Sequence, residues 1–496
     1  MRFFLFLLLS LLAVPLSAGA QAASGLVSTP RAALLPVSAT NRPLLAADHA
    51  AQPVNLAAAG YVEEEYAVSG LAAVYDWGAT PADPVTVRTA GVPWTTRMLL
   101  RRPQDAKKFS GRVIVELLDA TPRHDTAPLW GLSQAHFMAG GDVWVGLTVD
   151  PAAAAALQRF DPVRYAALSL GPAQAPDCRN AADAAQGGLA WDIIAQTGAL
   201  LRSSSKENPL LLFEAHRIIA AGYARAGSEV MTYANALHAL LRLGGGEPVY
   251  DGFLAASAGS GEVLINPCAA PLDAADPRRA VLPRDVPFVA VAMQTDLDLP
   301  SARHQDDSDE PGREYRRYEI AGATDAVLPA GQPAAADLAL AGFDAAGESG
   351  CTEARSDFPA GLAFDAIWRQ YRERLAAGTP MSREPRIETD SSGAPLRDAS
   401  GNVRGGWRLP QIELPLAAYG SAGAARRDEV ASHSPCSPVD SLQRYDAARL
   451  KQLYGGRGDY LRRFQVAVDA AVQARRLTPE DAAALKASLA KAVPAF

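Results

Sequence analysis

The stretch RIIAAGYARAGSEVMTYANALHALL, residues 217–241, joins an apolar run to an amphipathic run through a group of small residues. Residues 217–221 include two β-branched isoleucines and predict a short buried strand. Apolar residues then recur at helical spacing and predict a helix over 225–243. Between the two, Gly222 and Ala226 are small enough to allow a sharp reversal of the backbone. The stretch therefore predicts a strand, a tight turn and a helix in direct succession.

Strands and helices are also predicted to alternate on both sides of this stretch. The predicted strands cover residues 61–75, 94–102, 112–118, 142–149, 217–221, 286–293 and 314–320. The predicted helices cover residues 191–201, 225–243, 443–454, 460–474 and the segment that begins at Pro479. This alternation favours an α/β fold, in which a mainly parallel central sheet is flanked by helices. Residues 401–415 form a loop rich in Gly and Pro, which opens a C-terminal loop–helix extension.

Composition excludes several classes of protein. The 496 residues are 49% hydrophobic, a fraction typical of globular proteins and too high for a mainly disordered chain. The formal net charge of −7 predicts neither nucleic acid nor an anionic lipid surface as a partner. The sequence predicts no cofactor and no metal site.

The first twenty residues have the pattern of a secretory signal peptide. Arg2 is followed by an apolar run over 3–16 and by the small residues Ala18-Gly19-Ala20, with 20–22 as a second exit site. A membrane anchor is the alternative, but 14 residues are too few to span a bilayer comfortably. We therefore expect cleavage after residue 20 and a soluble protein in the periplasm or outside the cell. Residues 21–58 lack a clear period and are expected to form a flexible or loosely docked lead-in.

The four cysteines would then reach an oxidising compartment, where disulfides persist. They are Cys178, Cys268, Cys351 and Cys436. None stands in a CxxC pair, which favours structural disulfides over free thiols. Four cysteines allow three connectivities. We expect Cys268 to pair with Cys351, because both follow predicted strand ends at the same edge of the sheet.

A strand, a tight turn and a helix in this order are the setting of the nucleophile elbow of α/β-hydrolases. From about residue 59 to near its end, the chain resembles the alpha/beta hydrolase domain family of bacterial secreted proteins. Besides the elbow, the matching stretches are residues 60–77, 109–119, 160–170, 191–202, 293–299, 318–326 and 401–410. The resemblance implies an α/β-hydrolase fold for residues 59–496, including a C-terminal helical extension. It also implies an esterase-like Ser–acid–His site.

All three catalytic positions of the family are altered in this sequence. The elbow position holds Ala224, the acid position holds Gln294, and the base position aligns with Asp325. A methyl group cannot attack a carbonyl carbon, and an ionised Asp is a far weaker base near neutral pH than His. Asp296, two residues after Gln294, is an alternative acid.

Other residues near these positions are candidates for chemistry or binding. The oxyanion-hole candidates are Arg225, directly after the elbow position, and Asp119, directly after the predicted strand 112–118. Ser228 stands one helical turn after Ala224 and is an alternative nucleophile. His124 lies in the segment that supplies part of the oxyanion hole in this fold and is an alternative base. For both Ser228 and His124 a structural role is the expected one.

Two functions remain open. In the first, the exported protein has ester-hydrolase ancestry but lacks competent serine-hydrolase chemistry. Its cleft then binds a small organic or ester-like ligand, or a partner. In the second, it is an active carboxylic ester hydrolase that uses non-standard residues such as Ser228 or His124. The loss of nucleophile, acid and base together favours the first, because the three groups work as a unit.

Processing of the N-terminus is the first testable prediction. The exported protein should begin near Gln21, because small residues at positions 18 and 20 suit signal-peptide cleavage. N-terminal sequencing of protein recovered from the periplasm or the medium measures this start. Retention of Met1 would contradict the prediction.

Overall fold

The structure is a computed structural model that describes residues 25–38, 41–170, 188–258, 263–273, 275–282, 284–298, 305–324, 329–343, 356–420 and 442–496. The strands in these ranges are β1 (Gly25–Leu26), β2 (Arg31–Leu34), β3 (Tyr61–Asp76), β4 (Thr86–Pro103), β5 (Arg112–Leu117), β6 (Val143–Leu147), β7 (Arg217–Tyr223), β8 (Leu241–Arg242), β9 (Gly252–Ala256), β10 (Phe288–Met293), β11 (Tyr315–Ile320), β12 (Ala417–Tyr419) and β13 (Leu442–Arg444). The α-helices are α1 (Pro128–Gly140), α2 (Pro151–Phe160), α3 (Ala190–Arg202), α4 (Ala224–Ala236), α5 (Ala335–Leu340), α6 (Ala360–Ala377), α7 (Pro410–Glu413), α8 (Ala447–Tyr454), α9 (Arg457–Gln473) and α10 (Pro479–Ala492).

Nine strands form one central sheet in the order β11-β10-β9-β7-β5-β6-β4-β3-β2. In this order, each of the strands β11, β10, β9, β7, β5 and β6 pairs in parallel with the next. The strands β4, β3 and β2 extend the sheet with antiparallel pairing. The predicted α/β fold with a mainly parallel sheet is thus confirmed. Because parallel strands end on the same side, the carboxyl ends of β7, β9 and β10 meet at one edge of the sheet.

Two apolar cores cover the two faces of the sheet. Ile219 of β7 packs into the core that includes α1 and α6, whereas Ile218 packs into the core that includes α3 and α4. Strands buried on both faces show near-continuous apolar runs rather than alternation. This is why β5 and β7 could be located from their sequence patterns.

Some elements differ from the predictions. The helix predicted over 225–243 ends at Ala236, and the chain then enters β8, where Leu241 pairs with Gly25. The loop predicted over 401–415 contains the short helix α7. Helix α1 was not predicted, because it is largely apolar all round and lacks a one-sided stripe.

The described part of the lead-in is docked, which corrects the prediction of a flexible or loosely docked segment over 21–58. Strand β2 pairs with β3 along four residues at the edge of the sheet. Leu44 and Leu45 are fully buried. The segment therefore belongs to the fold, and its apolar residues have no period because they pack in a loop rather than on a helix or strand.

The C-terminal extension packs against the end of β11. The amide of Trp407 donates a 2.7 Å hydrogen bond to the carbonyl of Glu319, and the amide of Ala321 donates to the carbonyl of Trp407. Helices α8, α9 and α10 share one apolar core with a face of the central sheet. The predicted start of α10 is confirmed, since Thr478 caps it and Pro479 is its first residue. The extension is thus an integral cover over one end of the sheet.

Two of the sequence-based expectations concern the membrane and the cysteines. Within the described ranges, every helix is too short or too polar to cross a bilayer. Cys268 is disulfide-bonded. Cys178, Cys351 and Cys436 lie outside the described residues, so the pairing of Cys268 with Cys351 stays a prediction.

A buried arginine ties the lead-in to the sheet. Arg97 of β4 is fully buried and lies 3.3 Å from a carboxylate oxygen of Glu65 and 3.1 Å from one of Asp125. It also donates a 2.7 Å hydrogen bond to the carbonyl of Leu44. Removal of one partner from such a cluster leaves the other charges buried and uncompensated.

We therefore expect Arg97→Leu to lower the free energy of unfolding by about 3–5 kcal/mol. Urea unfolding followed by circular dichroism measures this change. Arg462→Leu is the matched control, because its exposed ion pair with Asp459 should contribute less than about 1 kcal/mol. Equal effects of the two substitutions would show that the Arg97 cluster does not hold this part of the fold.

Candidate functional site

The predicted tight turn lies at the carboxyl end of β7. Strand β7 ends at Tyr223 and α4 begins at Ala224, whose φ of 49° lies in the left-handed region. A Cβ atom on Gly222 would come within 2.3 Å of the carbonyl oxygen of Ala226, and one on Gly227 within 2.7 Å of that of Ala256. The backbone has therefore the form of an elbow, and the residue at its tip has only a methyl side chain.

The amide of Arg225 remains a candidate oxyanion donor. Arg225 is the second residue of α4, and the first four amides of a helix have no acceptor within the helix. Its side chain points to other charges: Nη2 lies 3.2 Å from Asp150 and Nε 3.3 Å from Glu229. Burial raises the pKa of Glu229 to about 7. The guanidinium is therefore held by structural partners, while the amide faces the start of the helix.

The amide of Asp119 is already in use. It donates a 3.0 Å hydrogen bond to the carbonyl of Thr126, and the two residues form an antiparallel bridge. This amide is therefore engaged in the loop, and a role of Asp119 in the oxyanion hole stays a prediction. The carboxylate of Asp119 accepts a 2.7 Å hydrogen bond from the hydroxyl of Thr121.

The acid position at the end of β10 is occupied by a bridging amide. Gln294 is buried, and its Oε1 accepts a 2.8 Å hydrogen bond from the amide of Gly322. Its Nε2 donates to the carbonyl of Tyr419 at 3.3 Å. Gln294 thus links β10 to the loop after β11 and to the C-terminal extension, and it has no charge with which to orient a base.

Asp296, the alternative acid, is paired with a serine on the neighbouring strand. Its Oδ2 accepts hydrogen bonds from the amide of Met293 at 2.7 Å and from the hydroxyl of Ser257 at 2.8 Å. Ser257 directly follows β9, whose Ala256 is the register partner of Tyr223. Ser257 has a φ of 47°, so two residues with left-handed backbones lie at adjoining strand ends.

Sequence reasoning missed the pairing of Ser257 with Asp296, although it placed Ser257 in a loop at a strand end, where the structure also has it. The five apolar or small residues of β9 were too few for a clear strand pattern. The available signal was a hydroxyl residue that directly follows a short apolar run. Polar residues of an active site stand in the same position after a strand.

The alternative nucleophile and the alternative base are not brought together. The Ser228 hydroxyl donates a 2.5 Å hydrogen bond to the carbonyl of Ala258. The His124 ring lies 3.3 Å from the carbonyl of Asp125 and packs against Phe343, and burial lowers its pKa. Both residues have structural contacts of their own.

The base position aligned with Asp325 lies outside the described residues, as do His304 and His433. The described histidines are His49, His124, His136, His216 and His238, and none of these five is hydrogen-bonded to Ser228, Ser257 or Asp296. Within the described ranges, no cluster of three metal-ligating side chains is found either. The described part of the site therefore offers the amides at the start of α4, whereas the hydroxyls of Ser228 and Ser257 donate within the protein and neither lies beside a described histidine.

Backbone strain at the elbow gives a testable prediction. Left-handed geometry costs a residue with a Cβ about 1–2 kcal/mol, which exceeds the roughly 0.5–1 kcal/mol of extra chain entropy that Gly loses on folding. We therefore expect Ala224→Gly to raise the free energy of unfolding by up to about 1 kcal/mol. Ala234→Gly, inside α4, is the matched control and should lower it by about 1 kcal/mol or more. A loss of stability in Ala224→Gly equal to that in the control would contradict the strain argument. Urea unfolding measures both variants.

Comparisons with solved structures return esterases and related hydrolases at low similarity. Esterase Est22 is 13% identical with a TM-score of 0.25, over 48% of this chain and 65% of its own. XC6422 from Xanthomonas campestris, described as an a/b serine hydrolase without lid, is 9% identical with a TM-score of 0.25, over 51% of this chain and 84% of its own. Methylesterase BT1017 is 12% identical with a TM-score of 0.26, over 47% of this chain and 43% of its own. This chain thus spans less than two thirds of Est22 and less than half of the methylesterase.

Sequence comparison is more informative about the family. No functionally curated protein matches the chain. The model of the alpha/beta hydrolase domain family, in contrast, matches residues 27–487, which include the whole central sheet and most of the C-terminal extension. The elbow at the end of β7 and the order of the strands agree with this match, and the chain belongs to the alpha/beta hydrolase domain family.

Proposed function

We propose that the protein is an exported member of this family whose strand-end cleft binds a small organic or ester-like ligand without hydrolysing it by the serine mechanism. The observation that supports this proposal best is Ala224 at the tip of the elbow with a φ of 49°. A strained tip positions a nucleophile, and here the side chain that it positions cannot react.

The acid side of the site supports the same proposal. In a working triad the carboxylate orients the base through a hydrogen bond. Here the buried oxygen Oδ2 of Asp296 accepts from Ser257 and from the amide of Met293. Gln294 is likewise engaged on both sides, with Gly322 and Tyr419. These contacts join the strand ends to one another and to the C-terminal extension.

The amides at the start of α4 indicate the type of ligand. The orphan amides at the start of α4, next to the positive end of the helix dipole, favour a carbonyl or carboxylate oxygen. A methyl group at position 224 leaves room beside them for the carbon that a nucleophile would have attacked. An ester or a related carbonyl compound fits both features.

Export remains part of the proposal and rests on the pattern of residues 1–20. The competing function, an ester hydrolase that uses Ser228 or His124, receives no support from the contacts of either residue.

The decisive experiment combines activity-based labelling with an ester assay. Because the elbow lacks an activated Ser, we expect no fluorophosphonate labelling and near-background hydrolysis of short-chain p-nitrophenyl esters. Residual acceleration from binding and oxyanion contacts should not exceed about 10³-fold over water. Strong labelling of the unmodified protein would contradict the proposal, and its loss in Ser228→Ala or Ser257→Ala would identify the serine responsible.

Restoration of the triad tests whether the scaffold still supports the chemistry. We expect Ala224→Ser alone to stay inactive, since the base would still be missing. The triple variant Ala224→Ser, Gln294→Glu, Asp325→His should recover turnover at least about tenfold above background. A folded but inactive triple variant would show that the catalytic positions were assigned wrongly. Activity in the single variant would show that another residue already serves as the base.

Binding itself is measured on the unmodified protein. An ester that is bound but not consumed should raise the melting temperature, because ligands of the folded state stabilise it. Ala224→Leu, which fills the cleft at the elbow, should abolish this shift. An equal shift in the two proteins would place the ligand elsewhere.

A further inference from the structure

Two arginines meet at the amino end of the central sheet. Arg112 is the first residue of β5, and Arg372 lies on α6. Both guanidinium groups approach Gly140, the last residue of α1: a Cβ atom there would be 3.4 Å from Nη2 of Arg112 and 3.6 Å from Nη1 of Arg372. These are ordinary contact distances, so the space beside Gly140 can hold an atom. The elbow lies at the opposite ends of the parallel strands, and the inference is therefore independent of the proposed function.

The carboxylate of Asp142 is the third charged group around this space. Asp142 is 3% exposed, and its Oδ2 lies 3.5 Å from the same Cβ position. The other oxygen, Oδ1, accepts a 2.6 Å hydrogen bond from the Ser110 hydroxyl and forms an ion pair with Arg112. Oδ1 thus has partners within the fold, whereas Oδ2 accepts no hydrogen bond from the described residues and borders the open space.

Positive charge exceeds negative charge at this place. The guanidinium of Arg372 forms neither an ion pair nor a hydrogen bond with any residue that the structure describes. One carboxylate therefore stands against two cations. A neighbouring side chain responds to this excess: burial, followed by the charges of Arg372 and Arg112, lowers the pKa of His136, one helical turn before Gly140, to about 4.

We propose that this space binds hydrogen phosphate, a small oxyanion that still carries a proton. Guanidinium groups match the geometry of phosphate oxygens and form charge-assisted hydrogen bonds with them. The carboxylate of Asp142 is an acceptor only, so it repels a fully deprotonated oxygen but accepts a hydrogen bond from a P–OH group. Two cations with one carboxylate between them therefore suit hydrogen phosphate better than sulfate, a carboxylate or the phosphodiester of a lipid.

The test is isothermal titration calorimetry of the full-length protein near neutral pH, in about 0.15 M NaCl to screen exposed charges. We expect millimolar binding of phosphate, at least about tenfold tighter than that of sulfate or dimethyl phosphate. Arg372→Gln should weaken phosphate binding about tenfold. Arg369→Gln on the same helix is the matched control. Its guanidinium already pairs with Glu373 and Glu480, so the affinity should change less than about twofold.

A second variant separates the role of the carboxylate from that of the cations. An amide can donate to a deprotonated oxygen, so Asp142→Asn should lose the preference for phosphate over sulfate. His136 gives an independent readout of occupancy. A bound anion should raise the pKa of its ring, which starts from about 4, by about 1, and NMR titration of the ring measures this change.

Absence of phosphate binding to the unmodified protein, or unchanged binding in a folded Arg372→Gln variant, would overturn the site. Phosphate binding that leaves the pKa of His136 unchanged would place the anion elsewhere and would overturn it too. Equal affinities for phosphate, sulfate and dimethyl phosphate would overturn the proposed role of Asp142. If Asp142→Asn fails to fold, the comparison of the three anions on the unmodified protein still decides that role.

Discussion

The close approach of backbone segments at the end of β7 is the constraint on which the site depends. Gly222 lies against the carbonyl of Ala226, and Gly227 lies against the carbonyl of Ala256 on the next strand. Neither contact leaves room for a Cβ atom. The turn is therefore held by backbone packing between β7, α4 and β9, whatever side chain stands at its tip. This explains how an elbow with a φ of 49° can persist around an alanine.

The same strand ends show how the buried polar groups beside the elbow find hydrogen-bond partners. Asp296, Ser257 and Gln294 are buried, and buried polar groups must find partners. Ser257 donates to Asp296, while Gln294 bridges the loop after β11 and the extension. These hydrogen bonds join the ends of β9 and β10 to each other, to the loop after β11 and to the extension.

Backbone hydrogen bonds and ring contacts hold the C-terminal extension against the carboxyl ends of the central strands. Backbone hydrogen bonds connect Trp407 to Glu319 and Ala321, and the ring of Trp407 lies 5.0 Å from that of Tyr318. The carbonyl of Tyr419 in the extension also accepts a hydrogen bond from Gln294, so the extension contacts the end of β10 as well as β11.

The sequence by itself determined the α/β class, the central strands and the alanine at the elbow. Strands buried on both faces leave a continuous apolar run, and a tight turn requires small residues at set positions, so both are local signals. The docked lead-in and the pairing of Ser257 with Asp296 were decided only by tertiary structure. The carbonyl of Leu44 accepts a hydrogen bond from Arg97 of β4, and Ser257 meets Asp296 because β9 and β10 are neighbours in the sheet. Each of these contacts joins residues more than 35 positions or one whole strand apart, a relation that no local pattern of residue types contains.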